Sequence, residues 1–150
     1  PTDLRSQTPN TKTLKIHVCY EESPDLRQVA ETLGLTTSEV ISLHCLPTYT
    51  CVGLGFCPGF AYLTGLHEAL CGLPRLNSPR KSVPAGSVGI TGAQTAVYPS
   101  TRPGGWNLIG ITPQTVVNVI EDYFPIAPGD KVNFIPISMS EMKDYRELPL

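Results

Sequence analysis

The chain has 150 residues, with 11 basic and 13 acidic side chains and a formal net charge of -2. Its 13 glycines and 15 prolines disfavour a helical bundle, because these are the poorest helix formers. A hydrophobic fraction of 41% with only 16% charged residues argues against disorder, and the slightly acidic total excludes a globally basic nucleic-acid binder.

The N-terminal part combines one strand pattern with one helix pattern. Residues 1–12 are polar and aperiodic, so we expect a linker or a cut end there. The alternation over 14–18 predicts a half-buried strand. Ser23 is expected to cap a helix whose apolar stripe covers 26–33, and Gly34 is expected to end it in the left-handed conformation.

A second short helix is predicted from Thr36, since Glu39 completes a capping box. After Pro47 the pattern changes to short apolar runs between Gly or Pro turns, which favours strands. These strand candidates cover 48–56, 83–90, 94–98, 106–112 and 131–137. We therefore predict a mainly β fold: a closed β-barrel over 13–140, two short N-terminal helices beside it, and a tail over 141–150.

The five cysteines form an odd set without a C-x-x-C pair. This pattern favours reduced structural thiols over a disulfide framework or a zinc site, and no metal site is expected. The polar residues 1–10 do not resemble a signal peptide, and the uncharged run 45–66 is interrupted by prolines and glycines. We expect a cytoplasmic protein.

Charge is distributed unevenly along the chain. Residues 45–120 contain one acid and four bases, a net charge of +3, together with 11 of the 13 glycines. Such a segment suits strands and tight loops that line a cleft for an anion. The alternative is a buried sheet with incidental surface arginines.

Familiar catalytic motifs are missing. The sequence contains no G-x-x-x-x-G-K-[ST] phosphate loop, no H-E-x-x-H and no G-x-S-x-G. The S-x-x-K match at 78–81 has a proline behind its serine and no helix pattern after it, so it is a chance match. A self-contained serine or metal hydrolase is therefore not expected.

Three Gly/Pro loops, 55–60, 83–89 and 103–106, are the candidate binding elements. Glycine lets backbone N–H groups approach a ligand and hold an anion or a developing oxyanion. Phe56, Phe60, Tyr62 and Trp106 are candidate flat apolar walls. The alternative is that the glycines form tight barrel corners and the aromatic rings fill the core.

Five polar side chains are further candidates. Arg75 and Arg80 each follow a proline and are suited to bidentate binding of a carboxylate or phosphate, unless they are ordinary surface arginines. His44 ends a helix, where the dipole favours its charged form, although a packed histidine is the common alternative. Gln94 and Tyr98 share a strand face and suit an amide ligand or ordinary barrel-lining hydrogen bonds.

Several long blocks occur in one order between residues 14 and 140. They are Val18-Cys19-Tyr20, Pro24-Asp25-Leu26, Leu43-His44, Leu54-Gly55-Phe56, Pro58 to Leu63, Leu73-Pro74-Arg75, Ser78-Pro79-Arg80, Val83 to Ile90, Gln94-Thr95, Tyr98-Pro99, Pro103 to Trp106, Ile109-Gly110 and Pro128 to Val132. In these blocks the chain resembles the KipI family, also called allophanate hydrolase subunit 1 or the B-type subunit of bacterial ATP-dependent 5-oxoprolinase.

The resemblance implies a cyclophilin-like barrel that acts with a KipA-like, or allophanate hydrolase subunit 2, partner. It also implies small amide or lactam substrates, with ATP and Mg in the complex, bound mainly by the partner. On this interpretation the chain is one subunit of a hydrolase and inactive alone. One member of the family inhibits a sporulation histidine kinase, so a non-enzymatic kinase inhibitor is the alternative, and a cyclophilin-like prolyl isomerase ranks last.

Site residues follow from the loops and the resemblance together. His44 is the candidate for proton transfer, and Gly59, Gly86 and Gly105 are the candidate backbone donors. The complete binding set is Phe56, Gly59, Phe60, Arg75, Arg80, Pro84, Gly86, Ser87, Gln94, Tyr98, Gly104, Gly105 and Trp106.

Two departures from the family pattern matter. The family's N-terminal domain is expected to be absent from this chain. Ile111 stands where the family commonly has arginine, which removes a guanidinium from that corner.

Overall fold

The computed structural model describes residues 11–150. The helices are α1 (Leu26–Leu33), α2 (Thr37–Cys45) and α3 (Met142–Tyr145), with 3-10 turns at Glu68–Leu70 and Met139–Glu141. The strands are β1 (Thr13–Cys19), β2 (Tyr49–Leu54), β3 (Ala61–Thr64), β4 (Arg80–Val83), β5 (Ser87–Thr91), β6 (Gln94–Val97), β7 (Arg102–Gly104), β8 (Asn107–Ile111) and β9 (Lys131–Ile137). Residues 1–10, most of the predicted linker, lie outside the described residues.

Seven of the strands form a closed barrel in the order β1-β8-β5-β6-β3-β2-β9. The β1–β9 pair, which closes the ring, is parallel, and the other neighbouring pairs are antiparallel. Closure leaves none of these strands with an open sheet edge. The predicted mainly β barrel with helices beside its N-terminal part is confirmed.

β4 and β7 form a separate two-stranded ribbon, in which Arg80 pairs with Gly104. The candidate strand 83–90 was wrong in its bounds. Val83 ends β4 and β5 begins at Ser87, because Gly86 turns the chain with a positive φ of 90°. This turn separates the ribbon from the barrel wall.

The two N-terminal helices start differently. α2 has the predicted capping box, with the Glu39 N–H donating to Thr36 and the Thr36 N–H donating to the Glu39 carboxylate. α1 begins at Leu26 rather than at Ser23, and no side chain caps it. Gly34 ends α1 in the left-handed conformation, as predicted.

Two clusters of buried side chains form the interior. The larger fills the barrel and the space beneath α1 and α2, and it includes Ile16, Leu63 and Phe134. The smaller consists of Phe60, Val83, Ala96, Tyr98, Trp106 and Leu108. Because it contains both barrel residues and β4, the smaller cluster attaches the ribbon to the barrel.

The C-terminal residues pack back on the barrel. Tyr145 of α3 stacks on the His17 ring, with 4.2 Å between ring centroids, and Thr115 forms an isolated parallel β-bridge with Pro149. All five cysteines are free thiols. Within residues 11–150, every helix is too short or too polar to cross a membrane.

Candidate functional site

Aromatic side chains converge in a small cleft between the barrel and the ribbon. We call it the aromatic cleft, and it encloses about 90 Å³. Its lining consists of Phe56, Phe60, Tyr62, Arg75, Tyr98, Gly104, Gly105 and Trp106. Seven of these eight belong to the predicted binding set; Tyr62 was predicted only as an aromatic wall.

Phe60 is the centre of this aromatic group. Its ring meets those of Phe56, Tyr98 and Trp106 edge to face, with centroid separations of 5.1, 5.4 and 5.6 Å. Phe60 is almost fully buried, whereas Phe56 is 58% exposed and has a positive φ of 67°. The Phe56 ring therefore stands at the cleft mouth on a backbone conformation that an L residue rarely adopts.

Gly104 allows β7 to approach Tyr98 closely. A Cβ at Gly104 would overlap the Tyr98 hydroxyl oxygen, whereas one at Gly105 would find its nearest neighbour, Pro79, at 3.6 Å. Burial raises the pKa of Tyr98, and a hydrogen bond with the Trp106 backbone partly offsets this effect. Tyr98 thus presents a neutral hydroxyl at the wall of the cleft.

Arg75 lies at the mouth of the cleft on a loop that is fixed on both sides. Before it, the Leu73 carbonyl accepts a 2.8 Å hydrogen bond from the Gly92 N–H. After it, the Leu76 N–H donates to the Gly105 carbonyl at 2.7 Å. Within residues 11–150 the Arg75 guanidinium has no salt-bridge or hydrogen-bond partner. It is therefore available to an anionic group.

Arg80 does not have the predicted anion-binding role. Its guanidinium makes a bidentate pair with the Asp25 carboxylate, with N···O distances of 2.8 and 2.7 Å. Asp25 also accepts the Leu108 N–H at 2.7 Å. The hydrogen bonds to Asp25 raise the pKa of Arg80. Arg80 thus holds the ribbon to α1, and that prediction was wrong because its charge is matched within the fold.

None of the residues of the 83–89 loop lines the cleft. The Gly86 N–H donates to the Tyr98 carbonyl at 2.7 Å, so it is not the ligand donor that was predicted. Ser87 is buried in the barrel wall, and Pro84 lies exposed at the turn. Gly59 is also outside the cleft, beside Val117, which a Cβ at this position would approach to 2.8 Å.

His44 lies in the barrel core and not at the cleft. It is fully buried, with Nδ1 2.6 Å from the Tyr20 hydroxyl and Nε2 3.0 Å from Thr95 Oγ1. Burial lowers the pKa of His44 to about 3, so the expectation of a helix-dipole charge was wrong. Gln94 is half-buried opposite Thr64 on β3 and does not line the cleft.

Two neighbours of the site were not in the predicted set. The Arg102 guanidinium lies 5.7 Å from the centroid of the Phe56 ring, within cation–π range. Asp25 neutralises Arg80 from the start of a helix, 55 residues earlier. Asp25 lies in the Pro24-Asp25-Leu26 block but was not singled out as a site residue, and the only local signal at Arg102 was the adjacent Pro103, similar to the prolines beside Arg75 and Arg80.

The sequence comparisons agree with this architecture. Residues 2–124 match the family model for the carboxyltransferase domain, subdomain C and D. The chain belongs to this family. The chain is also 44% identical over 141 residues to the B-type 5-oxoprolinase subunit of Bacillus subtilis (strain 168), a match that covers 92% of this chain and 58% of that protein.

Two further comparisons agree with this family membership. The B-type 5-oxoprolinase subunit of Escherichia coli O157:H7 is 45% identical over 131 residues, 85% of this chain and 60% of that protein. The crystal structure of a conserved uncharacterized protein, PH0987 from Pyrococcus horikoshii, is 41% identical with a TM-score of 0.80, covering 94% of this chain and 66% of that one. The resemblance predicted from the motif blocks is confirmed, and the chain spans 58–60% of the length of these two curated relatives.

Proposed function

We propose that this chain is part of the B-type subunit of an ATP-dependent 5-oxoprolinase. In this proposal it acts with a KipA-like, allophanate hydrolase subunit 2-like partner on a small amide or lactam, and it is inactive alone. The carrying observation is the 44–45% identity to two proteins named as this 5-oxoprolinase subunit, over at least 85% of this chain. The aromatic cleft, with an available guanidinium at its mouth, supports the same proposal.

The size of the cleft limits what it can hold. Pockets for drug-sized ligands enclose about 300–1,000 Å³, whereas the aromatic cleft encloses about 90 Å³. A flat lactam ring or one edge of it fits between such aromatic walls, but a nucleotide does not. We therefore place ATP with Mg on the partner, where it would supply activation of the amide oxygen.

This chain's contribution would then be to orient the substrate and exclude water. Phe56 and Trp106 offer apolar ring faces or edges, and the neutral Tyr98 hydroxyl offers one hydrogen bond. Arg75 would hold a negatively charged substituent at the mouth. Overall, ring opening breaks the lactam C–N bond and adds water across it to give glutamate, while ATP is hydrolysed to ADP and phosphate.

The decisive experiment combines the full-length protein with its partner subunits and measures glutamate formed from 5-oxoproline with and without ATP. Turnover that needs both ATP and the partner is the expected result. Phe56→Ala should lower it, whereas Leu46→Ala, a comparably exposed apolar residue away from the cleft, should not. A correctly assembled complex without turnover would contradict the proposal. Inhibition of a histidine kinase by the same protein would then support the alternative, a non-enzymatic kinase inhibitor.

A further inference from the structure

A second cavity shares Arg75 with the lining of the aromatic cleft. It encloses about 180 Å³ between α1 and the loop over 73–77. We call it the polar pocket after Gln28, Thr32, Asn77 and Asn107, which line it together with Arg75. The apolar residues Val29, Leu73, Pro74 and Leu76 are also part of the wall. Arg75 borders both cavities.

Asn107 contributes to the polar pocket an amide whose orientation is fixed. Its Nδ2 donates to the carbonyls of Pro74 and Ile90, each at 3.0 Å. Both partners are acceptors, so the nitrogen must face them and the orientation of the amide is determined. The residue is only 8% exposed. Within residues 11–150, its Oδ1 accepts no hydrogen bond.

The same contact stiffens the loop that carries Arg75. The Asn107 amide anchors Pro74 directly, and the neighbouring Leu73 carbonyl also accepts from the Thr91 hydroxyl at 3.2 Å. Leu76 is anchored to the ribbon on the far side, as described above. A guanidinium on an anchored backbone loses less freedom when it binds a carboxylate.

The charges around the pocket favour an anion. Asp25 borders it, but this carboxylate is already paired with Arg80. The other lining side chains are neutral except Arg75. Among residues 11–150, the pocket lining therefore includes one positive charge without a partner, on Arg75, and one amide oxygen without a donor, on Asn107.

We propose that the polar pocket is a subsite for a small carboxylic acid that also carries an N–H group. The carboxylate binds Arg75 and the N–H donates to Asn107 Oδ1, while the remainder extends toward the aromatic cleft. A lactam acid such as 5-oxoproline has both groups; its choice as the ligand rests on the proposed function. The pocket assignment itself rests on Arg75 and Asn107.

The first test measures binding to the full-length protein without ATP or partner, by isothermal titration with 5-oxoproline and with 2-pyrrolidone. 2-Pyrrolidone keeps the lactam N–H but lacks the carboxylate. Arg75→Gln should weaken 5-oxoproline binding roughly 10- to 100-fold, the usual range for a lost charged hydrogen bond, and should not change 2-pyrrolidone binding. Arg27→Gln, which removes a positive charge from α1 outside the pocket, is the matched control and should have no effect.

A second variant tests the location independently of charge. Thr32 is exposed on α1 at the pocket wall, so Thr32→Phe narrows the pocket without removing a buried contact. Thr32→Phe should weaken the binding of both 5-oxoproline and 2-pyrrolidone. Unchanged 5-oxoproline affinity in both Arg75→Gln and Thr32→Phe would overturn the pocket assignment, even if the complex turns over 5-oxoproline. If binding responds as expected but the complete complex shows no turnover, the subsite stands and the proposed function fails.

Discussion

Asp25 and Arg80 join the first helix to the β4–β7 ribbon through two parallel hydrogen bonds of 2.7 and 2.8 Å. Because Arg80 is paired with Gly104 across the ribbon, this ion pair sets the position of β7 over the aromatic cleft. The two side chains are 10% and 29% exposed, so water screens the pair only partly.

Asp25→Asn should therefore destabilise the protein. The change removes the charge that matches Arg80 and replaces one carboxylate acceptor with a donor. Breaking one partner of a largely buried pair costs about 3–5 kcal/mol, and the partial exposure of Arg80 reduces the expected loss to about 2–4 kcal/mol. Urea unfolding monitored by the fluorescence of Trp106, the only tryptophan, measures it.

Lys12→Gln is the control for this ion-pair prediction. Lys12 pairs with Asp130 at 2.7 Å, but the lysine side chain is 49% exposed. An exposed pair contributes at most about 1 kcal/mol. If Asp25→Asn lowers the free energy of unfolding less than Lys12→Gln does, the Asp25–Arg80 pair does not hold the ribbon to the first helix as we infer.

Gly104→Ala and Gly105→Ala should differ although the residues are neighbours. The new methyl at position 104 would overlap the hydroxyl oxygen of Tyr98, which is buried. Overpacking of this kind costs about 1–3 kcal/mol. At position 105 the nearest atom is 3.6 Å away, an ordinary contact. Urea unfolding of both variants checks the difference, and equal stabilities would contradict it.

Most of the fold could be predicted from local patterns. Alternation identified β1 and β9, and the capping box of Thr36 with Glu39 located α2. The missed strands were β3, β4 and β7, which have three or four residues each; β7 also contains both Pro103 and Gly104. The short helix α3 was missed as well. Runs this short show almost no periodicity, because their pairing depends on partners elsewhere in the chain.

The candidate site was predicted only in part, because its contacts also join residues that are far apart in the sequence. The Gly/Pro loops and the family resemblance selected Phe60, Arg75 and Trp106, and the structure places all three in the lining of one cleft; their binding role stays a prediction. Arg80 was misassigned, because nothing local in the sequence indicates that Asp25 lies against it. His44 was misassigned because a helix-end position says nothing about burial, and burial dominates its pKa.

Phe56 and Phe60 should respond in opposite ways to truncation. Phe60 is 1% exposed and central to the smaller core cluster, so Phe60→Ala should lower the free energy of unfolding by about 3–5 kcal/mol. Phe56 is largely exposed at a positive φ, so Phe56→Gly relieves backbone strain and should leave stability unchanged or higher. Urea unfolding and the 5-oxoproline assay are measured together on both.

Loss of turnover in Phe56→Gly at full stability would assign the Phe56 ring to substrate handling. Full turnover in that variant would remove Phe56 from the site. Phe60→Ala serves as the comparison in which activity and stability are lost together.

The buried His44 should make the protein sensitive to mild acid. Its pKa is lowered from 6.5 to about 3, so below pH 6.5 the unfolded chain binds a proton that the folded chain does not. The free energy of unfolding should therefore fall as the pH drops from about 6.5 toward 3, by up to about 1.4 kcal/mol per pH unit. Asp130 acts lower: burial raises its pKa, but hydrogen bonds from Lys12 outweigh this and keep it below 3.8.

Between pH 6.5 and 4.5 the effect of His44 is thus separated from that of Asp130. His44→Gln keeps a polar side chain but removes the titrating group, so it should flatten the pH dependence in this window whatever its own stability. Urea midpoints at pH 7, 6 and 5 for the wild type and the variant measure the slopes. Equal slopes would mean that His44 is not kept neutral by the fold, and its bonds to Tyr20 and Thr95 would then need another explanation.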